Sequence, residues 1–229
     1  MRRPSLQAWL QERQYATPYH WRQRGNDRIE YQLRTKVVFE LAELISAPLD
    51  LRPRLLDVGC GDARFTADAA RRADAVGVDV SHRALGYARR FAADARFVAC
   101  GAEALSLPSN AFDVVTLLDV IEHIHDDDEA RVVAEARRVL RPGGRLVIST
   151  NTDRSARELK HFRHYPVRRF RALFDGMSDV RLLGLIPYFP ALRYLMAAPI
   201  VGRLWRSRIR LCHPAHGQVI LGVGRKPPR

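Results

Sequence analysis

Cysteine is scarce in this chain, and the three present, Cys60, Cys100 and Cys212, lie far apart with no Cys-x-x-Cys pair among them. That spacing argues against a disulfide framework or a zinc site and leaves them as small core or loop residues. Long apolar runs are also missing: no stretch reaches the roughly 18 to 20 uncharged residues of a spanning helix. The opening Met1-Arg2-Arg3-Pro4-Ser5 leads into a polar segment without the apolar region of a signal peptide, so a cytoplasmic protein is expected. No internal repeat or low-complexity linker interrupts the 229 residues, a length suited to one sizeable core with appendages.

Acidic residues are sparse at both ends. Residues 1–36 carry 8 basic and 3 acidic side chains and residues 151–229 carry 16 and 4, whereas residues 37–150 carry 14 and 18. The net charge of +13 therefore sits on the flanks of a mildly acidic centre. Basic flanks favour an anionic partner, nucleic acid or a membrane surface; a positive exterior that only keeps the protein dissolved is the alternative.

The first 27 residues, rich in aromatics and arginine (Trp9, Tyr15, Tyr19, His20, Trp21), read as a cap or arm, with the main domain over 28–229. From Arg28 the residues Ile29, Leu33, Val37, Val38, Leu41 and Leu44 recur at helical spacing up to Pro48, a helix expected at the sheet edge. Strands at Leu55–Val58, Ala75–Val80, Arg96–Cys100, Phe112–Leu118 and Arg145–Thr150 then alternate with helices. The helix after Asp62 buries Phe65, Ala69 and Ala70, the next is capped by Ser81, and a third, opened by Asp126-Asp127-Asp128-Glu129, is stopped by Pro142-Gly143-Gly144. Such alternation predicts an α/β doubly wound, mostly parallel sheet with helices on both faces. Beyond it the pattern weakens to a basic segment at 153–165, a helix near 166–175, strands at 179–186 and 217–224, and an apolar and arginine-rich insertion at 187–212.

At the end of the first strand, Asp57-Val58-Gly59-Cys60-Gly61-Asp62 breaks into two glycines one residue apart, where the backbone can turn tightly and approach a ligand. A nicotinamide or flavin fingerprint wants a third glycine where Arg64 stands, and it has no acidic residue at Asp57. The stretch instead resembles the first motif of the class I S-adenosylmethionine-dependent methyltransferases, acidic-x-Gly-x-Gly-x-Gly, with Ala63 as a mild replacement of the last glycine. Gly77-Val78-Asp79-Val80-Ser81 resembles the second-strand motif, 22 residues on from Asp57 to Asp79. Cys100-Gly101-Ala102-Glu103 resembles the loop after the third strand, with Gly101 where that family has an aspartate. Phe112–Val115 and Pro142-Gly143-Gly144 match the fourth strand and the turn before the fifth, so the resemblance covers about 57–150.

The resemblance implies a seven-stranded Rossmann-like methyltransferase fold and S-adenosyl-L-methionine as cofactor. It places Asp57, Gly59, Cys60, Gly61, Asp79, Val80, Ala102, Glu103 and Asp119 around that cofactor, with Asp79 taking the ribose hydroxyls. Leu118–Ile124, with Asp119, Glu122 and His123, resembles the loop of quinone-biosynthesis O-methyltransferases and RNA 3′-end methyltransferases, some of which bind a divalent ion there. His123 and Glu122 are the expected catalytic pair, with His123 suited by an unperturbed pKa near 6.5 to take a hydroxyl proton. The competing arrangement is a metal site with His161 or His164 as a further ligand; no metal is the expectation. Lys160–Pro166 is expected to line the acceptor pocket. The insertion, apolar and bordered by Arg203, Arg206, Arg208, Arg210 and Trp205, suits a peripheral membrane contact or a cover over an apolar substrate, with a homodimer contact as the alternative. A small or lipid-like acceptor is the leading expectation, an RNA acceptor the second, and a catalytically inactive cofactor-binding protein the third.

Overall fold

A computed structural model describes residues 12–45, 51–155, 159, 161–186 and 210–228. Its centre is an eight-stranded sheet in the order β3-β2-β1-β4-β5-β8-β6-β7. The strands are β1 (Arg54–Val58), β2 (Asp74–Asp79), β3 (Arg96–Ala99), β4 (Phe112–Leu118), β5 (Leu140–Asn151), β6 (Ser178–Ile186), β7 (Arg210–Cys212) and β8 (Val219–Arg225). The first five are parallel to one another, and β8 inserts antiparallel between β5 and β6. The eighth strand, one more than expected, is β7: Arg210–Cys212 pairs with Gly184–Ile186 and so belongs to the sheet rather than to the insertion.

The helices are α1 (Gly25–Leu41), α2 (Arg64–Ala70), α3 (His82–Phe91), α4 (Asp126–Val139) and α5 (Val167–Ala172). Helix α1 does not lie at the sheet edge. Val38, Phe39, Leu41 and Leu44 pack with Leu55, Val114, Val147 and Leu221, across the middle of one face, because the apolar stripe needs a broad apolar surface to cover. Its end also comes early. Glu43 adopts a left-handed conformation, with φ of 57°, and the Leu44 N–H bonds back to the Phe39 carbonyl, a closing turn that satisfies the last helical carbonyls well before Pro48, which lies outside the described residues.

The other elements follow their side chains. Phe65, Thr66, Ala69 and Ala70 are the buried side of α2, and the Ser81 hydroxyl accepts the Ala84 N–H at 3.0 Å to cap α3. On the opposite face α4 buries Val132, Val133 and Val139, each worth about 1.5–3 kcal/mol relative to exposure. Helix α4 stops at Val139, and Leu140 already pairs with Phe112; the Pro142-Gly143-Gly144 turn is a bulge inside β5 and not the helix terminator. Among the described residues no helix is long and apolar enough to cross a membrane.

Candidate functional site

Strand order reverses between β1 and β4, and a doubly wound sheet opens a crevice at the carboxyl ends of its strands at such a point. A cleft of about 540 Å³ lies there, lined among others by Asp57, Gly59, Cys60, Asp119, Glu122 and His123. Gly59 and Gly61 have φ of 71° and 55°, the left-handed region where side chains are strained. Space is equally tight: a Cβ on Gly59 would lie 2.5 Å from Val120, and one on Gly61 would lie 2.4 Å from the Tyr15 hydroxyl. Ala63 is also left-handed, with φ of 61°, so its replacement of glycine carries a cost of roughly 1–2 kcal/mol and is not mild.

Asp57 supports this turn from beneath. It is 3% exposed, and its two oxygens accept the hydroxyls of Thr66 (2.6 Å) and Thr116 (2.9 Å). Burial pushes its carboxyl up to about 6, against the pull of those two hydroxyls. Asp79 accepts the backbone N–H of Gly61 and of Ser81, both at 2.8 Å, which fixes its carboxylate at the end of β2, buried beside the glycine turn. Val80 beside it is 66% exposed. Of the residues expected around the cofactor, Gly61, Asp79, Val80, Ala102 and Glu103 do not line this cleft; they stand toward β2 and β3, where the Cys100 N–H meets the Asp79 carbonyl. At Gly101 the Glu103 carboxylate fills the missing side chain's space, its oxygen 2.2 Å from where a Cβ would be.

The other end of the cleft holds the titratable groups. Glu122 is fully buried and accepts the Thr150 hydroxyl at 2.8 Å and the Asn151 amide at 3.3 Å. Burial, then the charge of Asp119, push its carboxyl up to about 8, so it is mostly protonated at neutral pH. Asp119 goes the other way: burial opposes its charge, but Arg34 at 2.5 Å and the Ser149 hydroxyl at 3.0 Å hold it below the usual carboxylate range. The His123 ring lies 4.8 Å from that of His161, edge to face, and His161 Nδ1 is 3.1 Å from His164 Nε2. One ligand atom each from Glu122, His123 and His161 lie within 4.8 Å of one another, whereas Asp119 and His164 stand outside that trio.

This loop is held by the segment after β5. Phe162 donates its N–H to the Glu122 carbonyl at 2.8 Å, and the Arg163 guanidinium, 7% exposed, reaches the carbonyls of Ile121 and Ile124 and the carboxylate of Glu129. His161 lines the cleft; Lys160 lies outside the described residues.

Three contributors escaped the sequence reading. His20 donates its backbone N–H to the buried Asp62 carboxylate and sets its Nδ1 2.8 Å from it, while the Trp21 indole N–H reaches the Asp62 carbonyl. Tyr15 is thereby laid over Gly61 and is buried; burial first, then Asp79 and Asp62, keep its phenol neutral. Arg34 had a signal: it lies one helical turn before the buried Val38, a cation on an apolar stripe. Tyr15 and the His20–Asp62 pair had none, since their partners lie more than 40 residues away.

A glycine turn, a fixed aspartate at the end of β2 and a cleft at the switch point are the features of a nucleotide-cofactor domain of the doubly wound class. Residues 56–148 match the family model "Methyltransferase domain". The curated relatives include a ubiquinone biosynthesis O-methyltransferase of Sinorhizobium fredii, 34% identical over 129 residues, which are 54% of this chain and 51% of that protein. The chain spans about half the length of the curated relatives it matches. Among solved structures, the N-methyltransferase NodS from Bradyrhizobium japonicum, in complex with S-adenosyl-L-homocysteine, aligns with a TM-score of 0.71 at 18% identity, covering 97% of this chain and 100% of that one. The [4+2]-cyclase SpnF aligns with 0.59 at 23% identity, covering 85% and 80%, so the fold alone does not decide the reaction. Over residues 56–148 the chain is therefore similar to the class I S-adenosylmethionine-dependent methyltransferases. The crevice fits that cofactor, with glycines where side chains would intrude and a fixed carboxylate at the end of β2.

Proposed function

We propose that the protein transfers the methyl group of S-adenosylmethionine to a hydroxyl oxygen of a quinone-like or lipid-like small molecule. The observation that carries this reading is the His123 and Glu122 pair, which shares one cleft with the Gly59 turn. The cofactor supplies an activated methyl on a sulfonium, so the protein's task is to align oxygen, methyl and sulfur and exclude water. Asp79 would take the ribose hydroxyls, the backbone at Ala102 and the Glu103 carboxylate the adenine edge, and Asp119, held by Arg34, the amino acid end. His123 would accept the acceptor's hydroxyl proton as the oxygen–carbon bond forms and the sulfur–carbon bond breaks, leaving S-adenosylhomocysteine. Glu122, neutral and fixed by Thr150 and Asn151, would orient the loop that carries His123.

The similarity to ubiquinone biosynthesis O-methyltransferases supports an apolar aromatic acceptor. The insertion supports it as well: its flanking residues Ile186 and Arg210 pair in register at the end of the sheet where the cleft opens, while 187–209 lie outside the described residues. A peripheral membrane contact through this segment is part of the proposal. The test is transfer of a labelled methyl group to a prenylated catechol. Wild type is expected to turn over and His123→Ala to lose about 10²–10⁴-fold in kcat, the usual reach of general-base catalysis. Equal rates would remove His123 from the chemistry.

The basic flanks favour a second reading, an RNA acceptor. Transfer to RNA but not to the catechol, with flotation on liposomes absent, would replace the first reading by the second. Cofactor binding without transfer to either would leave a catalytically inactive binding protein. A concentration-dependent dimer, lost when 187–209 are deleted, would assign that segment to self-contact instead of a membrane.

A further inference from the structure

At the other end of the sheet, away from the cofactor crevice, lies a second cavity of about 360 Å³ lined by Glu43, Arg145, Asp179, Val180, Arg181, Val223 and Arg225. Arg145 begins the regular part of β5, Arg225 ends β8, and the two stand directly opposite in antiparallel register. Arg181 of β6 stands opposite Val223, two residues before Arg225 on β8, so all three arginines share one sheet face. Like charges placed directly opposite across strands destabilise a sheet.

The local carboxylates answer this only in part. Glu43 pairs with Arg145, whose side chain is 15% exposed. Asp179 reaches Arg225 only at 3.9 Å and is itself 74% exposed. Arg181 forms no hydrogen bond or ion pair with the described residues. Burial, together with Arg225 and Arg181, loosens Arg145's hold on its proton, with Glu43 opposing. The backbone is also bent to make this site: the register shifts between Ser178 and Arg181, and Asp179 within the bulge is left-handed, with φ of 52°. Bulges of this kind re-aim side chains. A cluster of guanidinium groups around a small cavity floored by Val223 suits one compact oxyanion, since their planar forks match phosphate oxygens.

We propose that Arg145, Arg181 and Arg225 form a binding site for a phosphate-type oxyanion, distinct from the cofactor cleft and independent of the methyl-transfer reading. The ligand is either a free phosphate group or the headgroup of an anionic lipid. Titration of the full chain with inorganic phosphate against chloride at constant ionic strength, followed by calorimetry, tests the first source. Flotation with vesicles of phosphatidylcholine and phosphatidic acid in a four-to-one ratio, against phosphatidylcholine alone, tests the second. Arg181→Ala is the informative variant, because the side chain is exposed and makes no hydrogen bond or ion pair with the described residues. It is expected to weaken binding about tenfold, as loss of one charge-assisted contact does. Arg181→Lys, which keeps the charge without the fork, should fall between. Arg89→Ala with Arg90→Ala removes exposed charge elsewhere on the domain and should leave binding unchanged. Phosphate binding that depends on Arg181 supports a free ligand, and vesicle binding alone that depends on Arg181 supports a headgroup. Binding equal in wild type and Arg181→Ala, or none in either assay, overturns the site.

Discussion

Replacing Glu103 should weaken cofactor binding, and placing an aspartate at Gly101 should restore it. The carboxylate of Glu103 fills the space that a side chain at position 101 would enter, 2.2 Å from its Cβ position, and on the proposed function it would stand in for an acidic group at position 101. A hydrogen bond to a charged group is worth about 1.5–3 kcal/mol, and partial exposure of Glu103 reduces this to about 1 kcal/mol. Glu103→Ala should therefore raise the dissociation constant of S-adenosylhomocysteine about fivefold in calorimetry. Gly101→Asp alone should also weaken binding, because its carboxylate meets Glu103 at contact distance with like charge. In the double variant the conflict is gone, and affinity should return to within about twofold of wild type. Independent, additive effects of the two substitutions, or an unchanged affinity in Glu103→Ala, would refute the idea that Glu103 replaces the missing aspartate.

Three other perturbations bear on the same cleft. Ala63→Gly relieves a left-handed alanine and should stabilise the fold by about 1 kcal/mol in chemical denaturation; a loss would show that the alanine's packing outweighs its strain. Asp57 is raised from 3.8 to about 6 in the folded protein, so the stability linked to its proton is full below pH 3.8 and is lost as pH rises through about 6. Across that window stability should fall by up to about 3 kcal/mol, and Asp57→Asn should remove this component from the unfolding profile. Methyl transfer is expected to survive chelation, because both Glu122 oxygens already accept hydrogen bonds and its carboxyl is mostly protonated at pH 7. Activity abolished by chelator and restored by a divalent cation would instead make Glu122, His123 and His161 ligands.

What the chain reveals on its own is what depends on neighbours in sequence. The alternation of strands and helices, the glycine turn at Gly59 and Gly61, Asp79 at the end of β2 and the Ser81 cap are all set by local conformation and by spacing within one βαβ step. Helix ends were less legible, since the early stop at Glu43 and the bulge at Pro142–Gly144 come from tertiary pairing. The remaining parts of the cleft required the fold. His20 meets Asp62 across 42 positions, Arg34 meets Asp119, and His161 meets His123 only because β5 carries the chain back to the end of β4. The arginine cavity follows the same rule: Arg145, Arg181 and Arg225 are ordinary surface cations in sequence, and sheet register alone puts them on one face. Electrostatics also waits for burial. Glu122 and Asp119 are three residues apart and chemically alike, yet one is pushed toward its neutral form and the other held charged, because Arg34 pairs directly with Asp119 while burial and the Asp119 charge outweigh its pull on Glu122.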